Sequence, residues 1–431
     1  MDFLRKRLND LAARGTLREL PGSGVGVDFW SNDYLGLAGV GHLPVVERHP
    51  PAPAPRPPGE RHPPALAPRP PGERHPPALA PRPPGERHPP ALAPRPPEGE
   101  GAGGYRSYYG LGGTTGSRLI SGDSEALNEF EAFVADYPGY PAALFFPSGY
   151  VANLGLLSAL SRRTDTVLYD ELIHASLRDG LRLGQGRSFR FKHNDLKELR
   201  ELLGKARPDG EVFVVTEAIF SMDGDQAPLA EISALCAEFG AKLIVDEAHS
   251  VGIYGLGGRG VVAAAGLQYT VFATVLTYGK AFGSHGAAVL GSAALREYLV
   301  NTCRPFIYST APAAAQWGAV RGAYARLEVD HAKLSDQLRE VIAYYLGKLS
   351  TSSLQRYAKL PLPSHIQVLE LGGNDLVMDA EAACRAGGYL VKGIRSPTVA
   401  AGRERLRICL HAFNTEGEID GLFRTLESAI G

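Results

Sequence analysis

Residues 242–250 read KLIVDEAHS, a short apolar run that ends on Asp246, with His249 three positions further on. Four residues are too few for a helix, so the run reads as a buried strand. An acidic residue at a strand's end, followed by a short polar turn, is where an α/β protein exposes reactive groups. Similar apolar runs lie upstream at 143–147, 166–169 and 212–216 and downstream at 271–276, with helical stretches such as 227–239 between them. Strands alternating with helices predict a mostly parallel sheet that holds its ligands at the strands' C-terminal ends. Further out, residues 2–14 place Leu4, Leu8 and Leu11 on one helical face, and 123–136 form a helix capped by Asp123 or Ser124. From about residue 305 a long helical pattern is followed by strand-like segments near 365–371 and 406–410, which predicts a smaller C-terminal α+β domain.

The 431 residues carry 45 Lys+Arg against 46 Asp+Glu, and the pI is about 6.9. That balance argues against a dedicated nucleic-acid or membrane-surface protein. No run of 18 apolar residues marks a membrane span. The first residues, MDFLRKRL, mix charge into an amphipathic pattern and do not read as a signal peptide. Cys236, Cys303, Cys384 and Cys409 are scattered, so neither a disulfide scaffold nor a metal site is expected, and a cytoplasmic setting fits.

Proline is unevenly spread: residues 48–98 hold 21 of the 33. From Arg56 the unit RPPGERHPPALAP recurs at Arg69, Arg82 and, cut short, at Arg95. Each unit offers one leucine against five prolines, so it cannot bury enough surface to offset its ordering entropy. The segment 48–104 is therefore expected to be a disordered, partly polyproline-II insert. It reads first as a tolerated surface expansion; the functional alternative is a PxxP ligand for an SH3-like domain. His49, His62, His75 and His88 share its period but lack the local density of a metal site. The expected organisation is thus an N-terminal segment (1–47), the insert (48–104), a large domain (105–304) and a small domain (305–431).

Two further stretches carry chemistry. In TYGKAFGSHGAAVLGS, Lys280 follows an apolar run and is flanked by Gly279, Gly283 and Gly286. Desolvation at a strand end lowers a lysine's pKa, and small neighbours leave room for a flat cofactor, which together suit a Schiff base. The glycine-rich run at 109–118 and PSGYVANLG at 147–155 offer backbone N–H groups to an anion such as phosphate. Gly255, Gly257 and Gly260 satisfy GxGxxG but do not close a strand, and no acidic residue lies about 20 positions on, so they read as a flexible loop rather than a dinucleotide site.

In order along the chain, SNDYLGLA (31–38), TTGSRLISGD (114–123), FFPSGYVANLG (145–155), YDELIHASLRDG (169–180), FKHNDL (191–196), VVTEAIFSMDGDQAPLAEI (214–232), VDEAHSVGIYGLGGRG (245–260) and TYGKAFGSHGAAVLGS (277–292) resemble the α-oxoamine synthases. The resemblance covers nearly the whole chain except 48–104. It implies the aspartate-aminotransferase fold (PLP fold type I), pyridoxal 5'-phosphate (PLP) as cofactor, and an amino acid joined to an acyl-CoA or acyl-carrier protein with loss of CO₂. By the same resemblance Lys280 holds PLP covalently and moves the Cα proton, Asp246 faces the ring nitrogen, and His174 stacks on the ring. Ser221 and His249 lie near the phenolic oxygen, and Thr277 with the backbone of Gly149 and Tyr150 holds the phosphate. Thr310 reaches a partner subunit's phosphate in a homodimer. Arg407 pairs with the amino-acid carboxylate, assisted by Asn32 and Arg395. The sequence departs from the pattern in its insert, in LGGTTGSR, and in PTVAAG.

The wording of TYGKAFGSHGAAVLG and RICLHAFNT leans toward the biotin-synthesis branch, which joins L-alanine to a pimeloyl thioester to give 8-amino-7-oxononanoate. Glycine chemistry (2-amino-3-oxobutyrate CoA ligase) and serine chemistry (serine palmitoyltransferase) are the same-family alternatives, because pocket shape sets specificity and motifs do not reveal it. A non-catalytic scaffold displaying the proline repeat is the alternative of another class.

Overall fold

In the computed structural model of the chain, residues 2–13, 26–38, 113–206, 209–359 and 362–431 are described. The proline-rich insert and residues 109–112 of the glycine-rich run lie outside them.

Among the described residues twelve strands follow in order: β1 (Val27–Asp28), β2 (Ala142–Phe146), β3 (Thr166–Asp170), β4 (Arg187–Phe191), β5 (Val212–Glu217), β6 (Lys242–Asp246), β7 (Ala273–Thr277), β8 (Ala287–Gly291), β9 (Ile366–Glu370), β10 (Tyr389–Leu390), β11 (Lys392–Ile394) and β12 (Arg405–Cys409). Strands β2 to β8 form one sheet in the order β2-β8-β7-β6-β5-β3-β4. Only β8 runs against the rest, pairing antiparallel with both β2 and β7. Both faces of the sheet are covered, as a largely parallel sheet requires. Along β2, Leu144 and Phe146 pack into one apolar cluster and Ala143 and Phe145 into another, on opposite faces.

Six strands point one way, so their C-terminal ends share one edge, and β8 begins there. The turns after β2, β3, β5, β6 and β7 carry Ser148, His174, Ser221, His249 and Lys280 respectively. The expected strands are all present within a residue or two. In the seven-stranded sheet two more were hidden. The edge strand β4 is RSFRF, mostly exposed and without an apolar run, and β8 is small and glycine-flanked.

The C-terminal part contains the 38-residue helix Ala314–Thr351 and a three-stranded antiparallel sheet in the order β11-β12-β9. Strand β12 is central and wholly buried. The N-terminal residues 26–38 join this part: Val27 pairs with Tyr389, the Cys409 N–H donates to the Phe29 carbonyl, and the Ala412 N–H to that of Tyr34. Asn32 and Tyr34 are thereby fixed beside Arg407.

The GxGxxG segment is tied down rather than loose. Gly252 N–H donates to Gly258 O and Gly260 N–H to Tyr254 O, and the Val261 and Val262 N–H groups donate to the buried Glu247 carboxylate. A Cβ at Gly260 would fall 2.0 Å from Glu247 Oε2, so the glycine there makes room for a structural carboxylate.

Candidate active site

A cavity of about 340 Å³ opens at this sheet edge, lined among others by Asn32, Gly149, His174, Asp246, Lys280 and Arg407. Tyr150, Ser221, His249 and Thr277 also line it. The structure therefore brings together ten of the twelve residues expected from the sequence. Thr310 is exposed and does not line the cavity, and neither does Arg395, whose Nη1 contacts Met378 Sδ at 3.4 Å.

Lys280 stands three residues past the end of β7, its Nζ 3.4 Å from Thr277 Oγ1. Burial pushes its pKa down, with Asp246 and Glu217 opposing. The amine is thus eased toward its neutral, nucleophilic form. Asp246 closes β6 and is buried. Its Oδ1 accepts the Ala248 N–H at 2.8 Å, and its Oδ2 accepts from Asn153 Nδ2 at 2.6 Å. Asn153 Nδ2 also donates to Ser176 Oγ at 3.0 Å, and Ser176 Oγ lies 2.8 Å from His174 Nδ1. Carboxylate and imidazole are thus held by one chain of hydrogen bonds.

His174 caps the helix Ala175–Leu183, and its backbone N–H donates to the buried Glu217 carboxyl. Burial lowers its pKa, with Asp246 opposing. His249 is pushed well below the usual histidine range by burial, with the Lys280 and Arg407 cations adding to it. Glu217 moves the other way: burial, then the neighbouring Asp246, raise it well above the carboxylate range. The register explains that repulsion, since Glu217 pairs directly with Asp246 across β5 and β6.

The helix Gly149–Leu160 starts at the cavity. Ser148 Oγ accepts the Val151 N–H, and the Ala152 N–H goes to the Ser148 carbonyl. No acceptor among the described residues takes the N–H groups of Gly149 and Tyr150. With the positive end of the helix dipole they form an anion seat. A Cβ at Gly149 would stand 2.4 Å from Thr277 Cγ2, so glycine permits the approach of Thr277 to this seat.

On the opposite wall Arg407 is buried and bonded only to neutral acceptors among the described residues. Its Nε donates to Ser221 O at 2.6 Å, and Nη2 to Asn32 Oδ1 at 2.9 Å and to Tyr34 Oη at 3.2 Å. A buried guanidinium with no carboxylate partner is costly unless a ligand supplies the anion. Arg405, two positions back on the same face of β12, is instead paired with Asp223 and Glu370.

The sequence reading missed Glu217, Asn153 and Tyr34. Glu217 ends a parallel strand beside Asp246, a signal that pairing β5 with β6 would have revealed. Asn153 is one turn past Gly149 on the same helix face. Tyr34 carries no signal of its own beyond its place next to Asn32.

The class I and II aminotransferase family model matches residues 111–426. The 8-amino-7-oxononanoate synthase of Methylococcus capsulatus is 40% identical over 320 residues, covering 74% of this chain and 81% of that protein. That of Alkalilimnicola ehrlichii is 39% identical over 322 residues, with 74% and 81% covered. Among solved structures, the serine palmitoyltransferase of Sphingomonas wittichii aligns with a TM-score of 0.69 at 30% identity, covering 74% of this chain and 79% of that one. The 8-amino-7-oxononanoate synthase of Francisella tularensis aligns with a TM-score of 0.64 at 30% identity, covering 73% and 88%.

Proposed function

This chain belongs to the class I and II aminotransferase family, in its α-oxoamine synthase branch, and from that premise we propose that it condenses L-alanine with a pimeloyl thioester, with loss of CO₂, to give 8-amino-7-oxononanoate for biotin synthesis. The observation that carries the reading is one cavity presenting a desolvated lysine amine, a carboxylate fixed by Asn153, and a buried guanidinium lacking an anion.

The residues fit PLP. The helix start at Gly149 and Tyr150, with Thr277, would take the phosphate; Asp246 would face the ring nitrogen, His174 the ring, and Ser221 with His249 the phenolic oxygen. Asn153 Oδ1 is a buried acceptor with no partner among the described residues, a polar vacancy on the wall that carries Asp246. Bound there, PLP supplies an electron sink that stabilises negative charge at the substrate Cα. Asp246 holds a proton on the ring nitrogen by its charge. Lys280 would hold the cofactor, and its amine would take and return the Cα proton as general base. Arg407 reads the amino-acid carboxylate with its planar fork, and Asn32 steadies that fork.

We place the enzyme in the cytoplasm, consistent with four free, buried cysteines and with no described helix long and apolar enough to cross a membrane. We read it as a homodimer in which the exposed Thr310 serves the partner's phosphate seat, and we assign residues 105–304 to the cofactor domain and 305–431 to the small domain. An amino-acid and acyl-thioester panel, offered as CoA and as carrier-protein esters with mass detection of the amino-ketone, tests the function. L-Alanine with the pimeloyl ester is the expected pair, and turnover with glycine or serine alone overturns the biotin assignment.

A further inference from the structure

His285 lies five positions after Lys280, in the turn between β7 and β8. It lines the cavity, is exposed, and makes no hydrogen bond or ion pair among the described residues. The hairpin decides which way it faces. Thr277 pairs with Ala287, and one step further out the Tyr278 N–H donates to the Gly286 carbonyl at 2.9 Å. Side chains alternate between faces along such a ladder. Tyr278 is fully buried and stacked on Phe145, and a Cβ on Gly286 would fall 2.4 Å from Phe145 Cζ, so this pair belongs to the Phe145 face. Thr277 belongs to the other face, where its Cγ2 stands 2.4 Å from the place a Cβ on Gly149 would take. Gly279 and His285 come next and return to the Thr277 side, and both line the cavity. The turn that joins them is held by Gly283 N–H to Lys280 O at 2.7 Å and by Ser284 N–H to Tyr278 O at 2.8 Å.

Thr277 and His285 are thus diagonal neighbours on one face. Such neighbours stand about 7 to 8 Å apart, close enough for both to reach one phosphate between them. The seat at Gly149 and Tyr150 supplies backbone N–H groups and the Thr277 hydroxyl, all of them neutral. The other basic groups of the cavity are engaged elsewhere. Arg407 sits on the opposite wall, Lys280 is taken up in holding the cofactor, and burial holds His174 and His249 toward their neutral forms. Asp179, which accepts from the Tyr150 hydroxyl, is already paired with Arg182. His285 is therefore the one uncommitted basic side chain lining the cavity among the described residues. Its imidazole has an N–H to give in either protonation state.

We propose that His285 is a cofactor-binding residue whose imidazole donates an N–H to the phosphate held at Gly149, Tyr150 and Thr277. The helix start and the Thr277 hydroxyl take the phosphate from one side, and the β7–β8 turn closes on it from the other. Because Lys280 lies in the same turn, the contact also fixes the backbone that carries the amine. The inference rests on the reading of the cavity as a PLP site with its phosphate at the helix start.

The test compares two ligands that differ only in the phosphate. Full-length protein stripped of cofactor is titrated with PLP and with pyridoxal, and each Kd is read from the visible band. His285→Ala is expected to raise the PLP Kd about tenfold, as loss of a hydrogen bond to a charged group does, and to change the pyridoxal Kd less than twofold. The phosphorus NMR resonance of bound PLP should move in the same variant while the visible band keeps its position. His285→Gln keeps an N–H donor and should return the PLP Kd to within about threefold of wild type. An unchanged PLP Kd, an unmoved phosphorus resonance, equal losses for PLP and pyridoxal, or a glutamine variant no better than alanine overturns the inference. So does a His285→Ala protein that keeps its PLP affinity but loses affinity for the acyl thioester, which would turn the ring toward that substrate instead. Wild-type protein that takes up no PLP overturns the cavity reading together with this inference; wild type that binds PLP beside an indifferent His285→Ala overturns the inference alone.

Discussion

Arg405 and Arg407 face the same side of β12, yet one is neutralised by Asp223 and Glu370 while the other meets only Ser221 O, Asn32 and Tyr34. Strand periodicity puts both in one row, and only the surrounding carboxylates distinguish a structural arginine from one reserved for a ligand. Arg407→Lys keeps the charge but loses the fork, so the KM for L-alanine should rise about 10- to 100-fold with little change in Tm. Arg405→Met should do the reverse, lowering stability by about 1–3 kcal/mol through the lost charged hydrogen bonds, with Asp223 left to Lys359 and Glu370 to Arg403, while the KM of folded enzyme changes little. Steady-state kinetics beside thermal melts separate the two. Lys280 is the residue expected to be labelled when the PLP-loaded protein is reduced with borohydride; a label elsewhere, seen by peptide mass mapping, would displace it from its role. In Asp246→Asn the amide cannot stabilise a protonated ring nitrogen by charge, so proton removal from Cα should slow by orders of magnitude while some PLP still binds. Glu247 cannot substitute, since its carboxylate is turned to Val261 and Val262; a variant of near wild-type activity would point to Glu217 instead. Motif reading found the residues with distinctive chemistry, Lys280, Asp246 and Arg407. It passed over Asn153 and Tyr34 because an asparagine and a tyrosine gain meaning only from what burial places against them.

Between β3, β4 and the turn after β5, His193 acts as a clasp. Its Nδ1 lies 3.1 Å from both Asp170 oxygens and its Nε2 2.6 Å from Asp225 Oδ2, with Phe220 edge-on at 4.4 Å. Burial alone would lower its pKa, but the bonds to Asp170 and Asp225 raise it to about 10. A folded pKa above the unfolded value near 6.5 means the stabilisation is complete below that value and lost as pH rises through about 10. His193→Gln should therefore lower Tm at pH 6 to 7, and the deficit should shrink as both proteins are melted at rising pH, vanishing just above 10. A deficit that stays constant over that range would mean the ring serves as packing rather than as a cation. The clasp also steadies the turn carrying Ser221, whose carbonyl holds Arg407, so the variant should raise the KM for L-alanine as well. At this scale the sequence was legible where strands are apolar and buried, as in β3, β5, β6 and β7. It was opaque at β4, a mostly exposed edge in which Phe189 and Phe191 share a face but only Phe191 is buried, and at β8, whose alanines and glycines suit strand and loop alike. The GxGxxG turn misled for a different reason: positive φ at Gly255, Gly257, Gly258 and Gly260 serves to enclose Glu247, a partner contributed from the strand end and invisible in local spacing.

Across the whole molecule, the described walls of the cavity come from Asn32 and from the turns and strands that follow residue 146, so the proline-rich stretch interrupts the sequence of the site. Both flanks are anchored in the described body. Asp33 accepts the N–H groups of Leu37 and Ala38, and Thr114 Oγ1 donates to Ala311 O at 2.7 Å while Ala311 N–H returns to Gly116 O. Ala38 also packs where a Cβ on Gly283 would fall, three residues from Lys280. The interruption thus begins near Lys280 but on backbone that is already fixed. Composition explains why the repeat was recognisable as a departure: identical units with one leucine and five prolines supply neither an apolar face nor a group the chemistry needs. The entropy of closing a chain segment grows only by about 0.6 kcal/mol per doubling of its length, so shortening this stretch should change stability little. Replacing residues 48–98 with a short connector should leave kcat and KM within about twofold of wild type and keep or raise Tm. The opposite outcome has a definite meaning. Turnover that falls more than about tenfold, in protein that folds and binds PLP, corresponds to more than 1.4 kcal/mol of lost transition-state stabilisation. A loss of that size would show that the repeat has been drawn into substrate entry or subunit pairing, and titrating the acyl-thioester KM against dimer content would tell which.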